Sequence, residues 1–208
     1  INGTMATFEL ELISNTEFEQ ILTFNLQVGQ VSITDPLGPD NYGYYIYDSD
    51  DVEYDLAPLY NWIEIDPGHG GDGENLNISD NGNNQDESKV IDLPFTFRFY
   101  GIDYNEITVC SNGWIAFGES NMESFRNYNI PGAGGPSPML AVFWDDLTTQ
   151  SGGDVITQYI SPSDDSPGMF IIEWSDVRTY DEYSSESFQA ILYQNVVLPY
   201  FDNEIKLQ

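Results

Sequence analysis

A chain of 208 residues that is 40% apolar and 14% aromatic can fold around a substantial core, which excludes a disordered acidic polymer. Its 35 Asp and Glu against 5 Lys and Arg give a formal net charge of -30, which repels phosphate backbones and argues against nucleic-acid binding. No apolar run approaches the ~20 residues of a membrane-spanning helix, so no membrane insertion is expected.

Helical periodicity is almost absent, and the chain reads as short alternating segments broken by Gly, Pro, Asn and Asp. Residues 5–13 place Phe8, Leu10 and Leu12 on one face, and residues 20–28 repeat the pattern with Leu22, Phe24, Leu26 and Val28. Together they look like the closing hairpin of an immunoglobulin-like unit, whose apolar face must be covered by something else. Pro36, Gly38 and Pro39 then mark a linker at 34–41. The expected organisation is therefore a hairpin at 1–33, that linker, and a sandwich domain over 42–208. The sequence begins at Ile1 without a leader and stops inside a strand pattern, and is read as part of a longer protein.

An aromatic strand is expected at 42–47 and a short one at 61–65, followed by a polar loop over 66–88 that is too long for a passive connection. Strands then follow at 90–100, 104–110, 113–118, 139–147, 154–160, 168–175, 186–194 and 203–208. Asn112-Gly113 signals a type I′ hairpin, and the Pro- and Gly-rich segment 131–138 a surface loop. The fold expected is all-β: a jelly-roll-like β-sandwich preceded by a β-hairpin from an immunoglobulin-like unit.

Three stretches carry a resemblance. They are Leu93 to Gly101, Ile107 to Gly118 (with Cys110, Asn112, Gly113 and Trp114), and Pro138 to Leu147 (with Phe143, Trp144, Asp145 and Asp146). With Phe170 to Trp174, Phe188 to Tyr193 and the later Glu204-Ile205, the region 90–208 resembles nidogen-like β-sandwich domains of large secreted bacterial proteins. The resemblance implies an adhesion or matrix module without a catalytic centre, and it implies no particular site residues.

Candidate ligands concentrate in the acidic loop, where Asp66, Asp72, Glu74, Asp80 and Asp86 alternate with glycines. Ca2+ takes six to eight oxygen ligands, and glycine lets a backbone curl around the ion, although this spacing fits no EF-hand. Asp48, Asp50 and Asp51 form a second candidate group. Asp145, at the end of an apolar strand, is either a ligand or a turn residue. The alternative for all of these is a solvated acidic surface. The sequons at Asn2 and Asn77 permit N-glycosylation.

Cys110 is the sole cysteine, so no intrachain disulfide forms, and it reads as a buried thiol. A Cys110–His69 dyad lacks the scaffold of a peptidase, and no nucleophile, base and stabiliser can be nominated together. The expected role is a non-enzymatic extracellular structural or adhesive module, or a filament subunit, with Ca2+ as ligand. Its expected partners are other copies of itself or neighbouring domains. The alternative is a carbohydrate-binding accessory domain of a secreted hydrolase, with tyrosines such as Tyr42, Tyr44, Tyr45, Tyr47, Tyr180 and Tyr183 stacking on glycans.

Overall fold

A computed structural model describes residues 4–13, 19–28, 32–82, 85–164, 166–194 and 202–208, the first two stretches through their backbone course and pairing. All regular structure among these residues is strand, with no helix. The chain forms two compact units, Ile1–Tyr60 and Asn61–Gln208.

In the first unit, β1 (Thr4–Ile13) and β2 (Glu19–Val28) pair antiparallel, with Phe8 opposite Phe24 and Leu10 opposite Leu22. The register also pairs Ala6 with Leu26, Thr7 with Asn25, Glu9 with Thr23 and Glu11 with Ile21. The aromatic run 42–47 is not the expected strand. Asp40 Oδ1 accepts the N–H groups of Tyr42, Gly43 and Tyr44 at 2.9, 2.8 and 2.9 Å, which curls the backbone and leaves a single bridge between Leu37 and Ile46. Residues 42–60 belong to this same compact unit, which ends at Tyr60.

The second unit is an all-β sandwich of two antiparallel sheets. One contains β4 (Ser88–Phe99), β5 (Ile102–Cys110), β6 (Trp114–Phe117) and β7 (Met139–Ala141), in that order. The other runs β12 (Ile205–Leu207), β11 (Ser185–Tyr193), β10 (Met169–Thr179), β9 (Asp154–Ile160), β3 (Glu74–Asn75), and β8 (Leu147–Thr148) pairs with the end of β10. β4 to β7 and β9 to β12 each follow in sequence order, whereas β3 crosses over to pair with β9 and β8 pairs with the end of β10.

Both sheets are buried on both faces in their central strands, while β4 and the first half of β5 stay partly exposed. In β10, Phe170, Ile172 and Trp174 point one way and Ile171, Glu173 and Ser175 the other, and all six are buried. Trp174 Nε1 donates to the Cys110 carbonyl at 2.9 Å, linking the two sheets across the sandwich. The opposite face of β10 forms a separate cluster, in which Ile65 packs with Ile156, Ile171 and Ile191. Ile65 belongs to residues 61–73, which cross this face as an unpaired strap rather than the strand expected at 61–65. The outer face of the β4–β7 sheet is covered likewise, with Met122 and Trp144 packed on Cys110, Trp114 and Ala116. Trp114 and Trp144 both donate their indole N–H to Ser124 O, at 2.9 and 2.8 Å. Double burial is why Phe170-Ile171-Ile172 and Ala190-Ile191-Leu192 are continuous apolar runs rather than alternating ones.

The expected β5–β6 hairpin forms, but Gly113 alone in its turn adopts positive φ, +73°. The turn therefore spans three residues with a glycine bulge instead of a two-residue type I′ loop. Asn112 keeps ordinary φ, and its buried amide is used for tertiary bonds. Gly113 O accepts from Val142 N and Phe143 N, both at 3.0 Å, so the strand expected over 139–147 breaks at 142–146. A Cβ at Gly113 would lie 2.0 Å from Phe143 O. Gly113→Ala should therefore lower stability by about 1–3 kcal/mol, read as a lower urea midpoint at unchanged m.

Candidate functional site

Three sequence-distant stretches meet at one corner of the sandwich: the loop 78–87, the β5–β6 turn, and residues 145–149. Asp80 is fully buried, and its carboxylate accepts Gly82 N at 2.7 Å and Ser111 Oγ at 2.5 Å. Its own backbone N–H donates to Thr149 Oγ1 at 2.9 Å, so the loop is tied to the residue just after β8. Asp86 Oδ1 accepts Asn112 Nδ2 at 2.7 Å, and Asn112 Oδ1 accepts Leu147 N at 2.9 Å. One buried amide thereby holds all three stretches together.

Carboxylates crowd this corner. Burial raises the Asp80 pKa, the bonds from Ser111 and Gly82 oppose the rise, and the charges of Asp86 and Glu87 add to it. Asp146 is pushed up to about 6, first by burial and then by Asp86, Asp80, Asp181 and Asp145. Its Oδ1 is buried without a hydrogen-bond partner. Asp145 Oδ1 accepts Asp146 N at 2.9 Å, a strand-ending bond that aims the pair differently. The neighbouring cation, Lys89, donates instead to the carbonyls of Leu76 and Asn77 at 2.6 and 2.8 Å and stands 4.0 Å from Glu87.

The acidic candidates are therefore only partly gathered. Asp80, Asp86 and Asp145 share the corner, joined by Asp146. Asp66 lies elsewhere, on the strap itself, accepting Gly68 N and Ser175 Oγ, each at 2.6 Å. Asp72 and Glu74 are exposed at the end of the strap and in β3. Asp48 and Asp50 sit in a turn of the first unit, where Asp48 Oδ1 accepts Asp50 N and Asp51 Oδ2 accepts Asp48 N, both at 2.8 Å. Among the described residues, no three acidic, histidine or cysteine side chains converge as a metal-holding group. Asn77 is exposed, with φ of +53°, while Asn2 lies outside the described residues.

Cys110 and His69 keep separate company. The thiol is buried, pushed up to about 12 by desolvation, with Ser111 Oγ at 4.0 Å. The His69 imidazole lies 3.7 Å from Asp66 and 3.3 Å from Asp176. Ser175 is close by, but its hydroxyl donates to Asp66, so these groups do not form a nucleophile–base pair. A recess of about 80 Å³ on the loop 129–144, floored by Met139 and Trp144, contains no titratable side chain.

Several polar residues that matter were not singled out as site residues by sequence: Ser111, Glu173, Gln189, and Asn112, which was read only as a turn residue. A signal existed for Glu173 and Gln189. Each interrupts an apolar strand, and the register places them directly opposite one another.

A two-sheet sandwich whose central strands are covered on their outer faces defines a β-sandwich module. The chain belongs to the NIDO-related family, whose model matches residues 71–205. Domains of this kind are typically extracellular, and among the described residues no helix is long and apolar enough to cross a membrane. No curated protein and no solved structure matches the chain.

The corner's electrostatics are testable. For Asp146 the folded pKa, about 6, lies above the ordinary 3.8, so its stabilising contribution is complete below about pH 3.8 and is lost as pH rises to about 6. Asp146→Asn should raise the melting temperature at pH 7.5 in metal-free buffer and have little effect at pH 4. An equal shift at both pH values would show that the carboxylate's charge is not the cause.

Proposed function

We propose that this chain is a non-enzymatic, extracellular structural or adhesive module whose acidic corner is stabilised by Ca2+. The observation that carries the reading is Asp146, a carboxylate whose buried oxygen has no partner and which Asp80, Asp86, Asp145 and Asp181 repel. A hard divalent cation favours such oxygen donors and would relieve their repulsion. Two further features support a structural role: the sheets spend their broad faces on packing, and the described recess lacks acid–base groups. Assembly would use the amphipathic β1–β2 ribbon, which pairs only with itself among the described residues and so has backbone edges on which another strand can add.

Unfolding in EDTA and in millimolar Ca2+ tests the metal, because a ligand of the native state raises its stability. The expectation is a Ca2+-specific rise in melting temperature that Mg2+ or salt does not reproduce and that Asp146→Asn largely removes. Sedimentation velocity at high concentration tests assembly: Ca2+-promoted association is expected, and a monodisperse monomer with and without Ca2+ would exclude self-assembly.

A second reading, a carbohydrate-binding accessory domain, draws on the exposure of Tyr42, Tyr45 and Tyr183. Glycan-array binding lost on Tyr→Ala at these positions would favour it over the structural role.

A further inference from the structure

The strap 61–73 lies over the one acidic side chain in the middle of the β9–β10–β11 face. Glu173 is 1% exposed and sits between Ile156 of β9 and Gln189 of β11. Its Oε2 accepts Gln189 Nε2 at 2.6 Å, while Oε1 is buried without a hydrogen bond of normal geometry. The strap shares this partner, since Gln189 Nε2 also donates to Ile63 O at 2.6 Å. Gln208 Nε2 extends the chain of amides, donating to Gln189 Oε1 and to Asn61 O, both at 2.8 Å. The strap's far end folds on itself through Gly71 N to Asp66 O and Gly73 N to Ile65 O, at 2.7 and 2.8 Å. It lies too close to the sheet for a side chain at residue 73, where a Cβ would meet Ile156 Cγ2 and Ile65 O at 2.5 Å.

We propose that residues 61–73 are a proton-sensitive cover, held against the sheet while Glu173 is protonated and loosened when it ionises. Ionisation puts a charge into an apolar layer with one oxygen unsatisfied, a state whose cost falls if the strap lifts and water enters. The strap itself brings like charges to the same place, Glu64 and Asp66, and both act against the Glu173 anion. On the other side, Gln189 and the Ile65 N–H favour the anion but do not offset burial, and the group is pushed up to about 7.

The other charged groups on this face act at its margins. Asp154 lies opposite Ser175 at one end, and Lys206 of β12 opposite Ile191 at the other. The His69 ring stands between Asp66 on the strap and Asp176 on β10, 3.7 and 3.3 Å from their carboxylates. For Glu173 the folded pKa exceeds the ordinary 4.5, so the hold is complete below about pH 4.5 and is lost as pH rises through about 7. Opening would uncover Ile156, Ile171 and Ile191, an apolar sheet face available to a partner. This cover is independent of the calcium reading, which concerns a different corner.

Hydrogen exchange of the peptide spanning 61–73, corrected for the intrinsic pH dependence of exchange, tests it on the full chain between pH 5.5 and 8.5. Protection of the strap should fall roughly tenfold or more across that range, since each unit of pKa shift corresponds to a tenfold change. Strands β10 and β11 should keep their protection. Glu173→Gln should leave the strap protected throughout. Glu64→Gln, at an exposed position, should move the midpoint to lower pH by removing a repelling charge. Strap protection that does not change with pH, or a midpoint unmoved in the Glu64→Gln protein, would overturn the proposal. So would a pH dependence that survives unchanged in folded Glu173→Gln.

Discussion

A β-sheet that meets a second sheet on one side needs either solvent or a cover on the other, and here both outer faces are apolar enough to require a cover. Ile156, Ile171 and Ile191 on one sheet and Cys110, Trp114 and Ala116 on the other would otherwise stand in water. Burial of such side chains contributes roughly 1.5–3 kcal/mol each. The strap and the segment 119–138, with Trp144, are therefore parts of the core, although none of them is regular structure. Their backbone groups must find partners away from a ladder, and side-chain amides and shared carbonyls supply them. Ser124 O takes two indole donors, and Gln189 serves both the strap and Glu173.

The same constraint decides where the excess charge becomes consequential. Most of the 35 acidic residues can be solvated, but the loops that close the sandwich bury a few of them. Asp80 is satisfied by Gly82 and Ser111, whereas Asp146 and Glu173 each keep an oxygen without a partner. Their raised pKa values share one principal cause, burial, with neighbouring carboxylates adding to it. Basic side chains do little to offset this. All five Lys and Arg lie in the second unit, and Arg98 pairs near the surface with Asp103 and Asp202 at 2.8 and 3.6 Å. Exposed pairs of that kind contribute about 0–1 kcal/mol. The first unit has no basic side chain at all and depends on counterions to moderate its self-repulsion.

Most strands from residue 90 onward were legible, because β-branched and aromatic runs separated by Gly, Pro and Asp clusters reflect local chemistry. The misreadings share a physical reason. The run 42–47 has strand composition, but Asp40 captures three of its N–H groups. The segment 61–65 has strand character without a ladder, since it packs across a sheet instead of joining one. The segment 139–147 is interrupted because Gly113 O draws in two N–H groups from a distant turn. In each case a side chain or carbonyl outside the segment, or a packing surface, overrode local propensity.

The candidate ligands divide along the same line. The acidic loop was visible as a composition, and so was the pair Asp145-Asp146. That Asp80 and Asp86 join this pair while Asp66, on the strap, joins Ser175 of β10 depends on how the chain runs across the sheets. By itself the sequence determined an all-β chain, its family resemblance, its hairpins and its charge, because period-2 patterning and turn chemistry act between near neighbours. Only the tertiary structure decided which carboxylates lose water and which keep a partner, because desolvation and repulsion depend on neighbours far away in the chain, as Ser111 is 31 residues from Asp80 and Ser175 is 109 from Asp66.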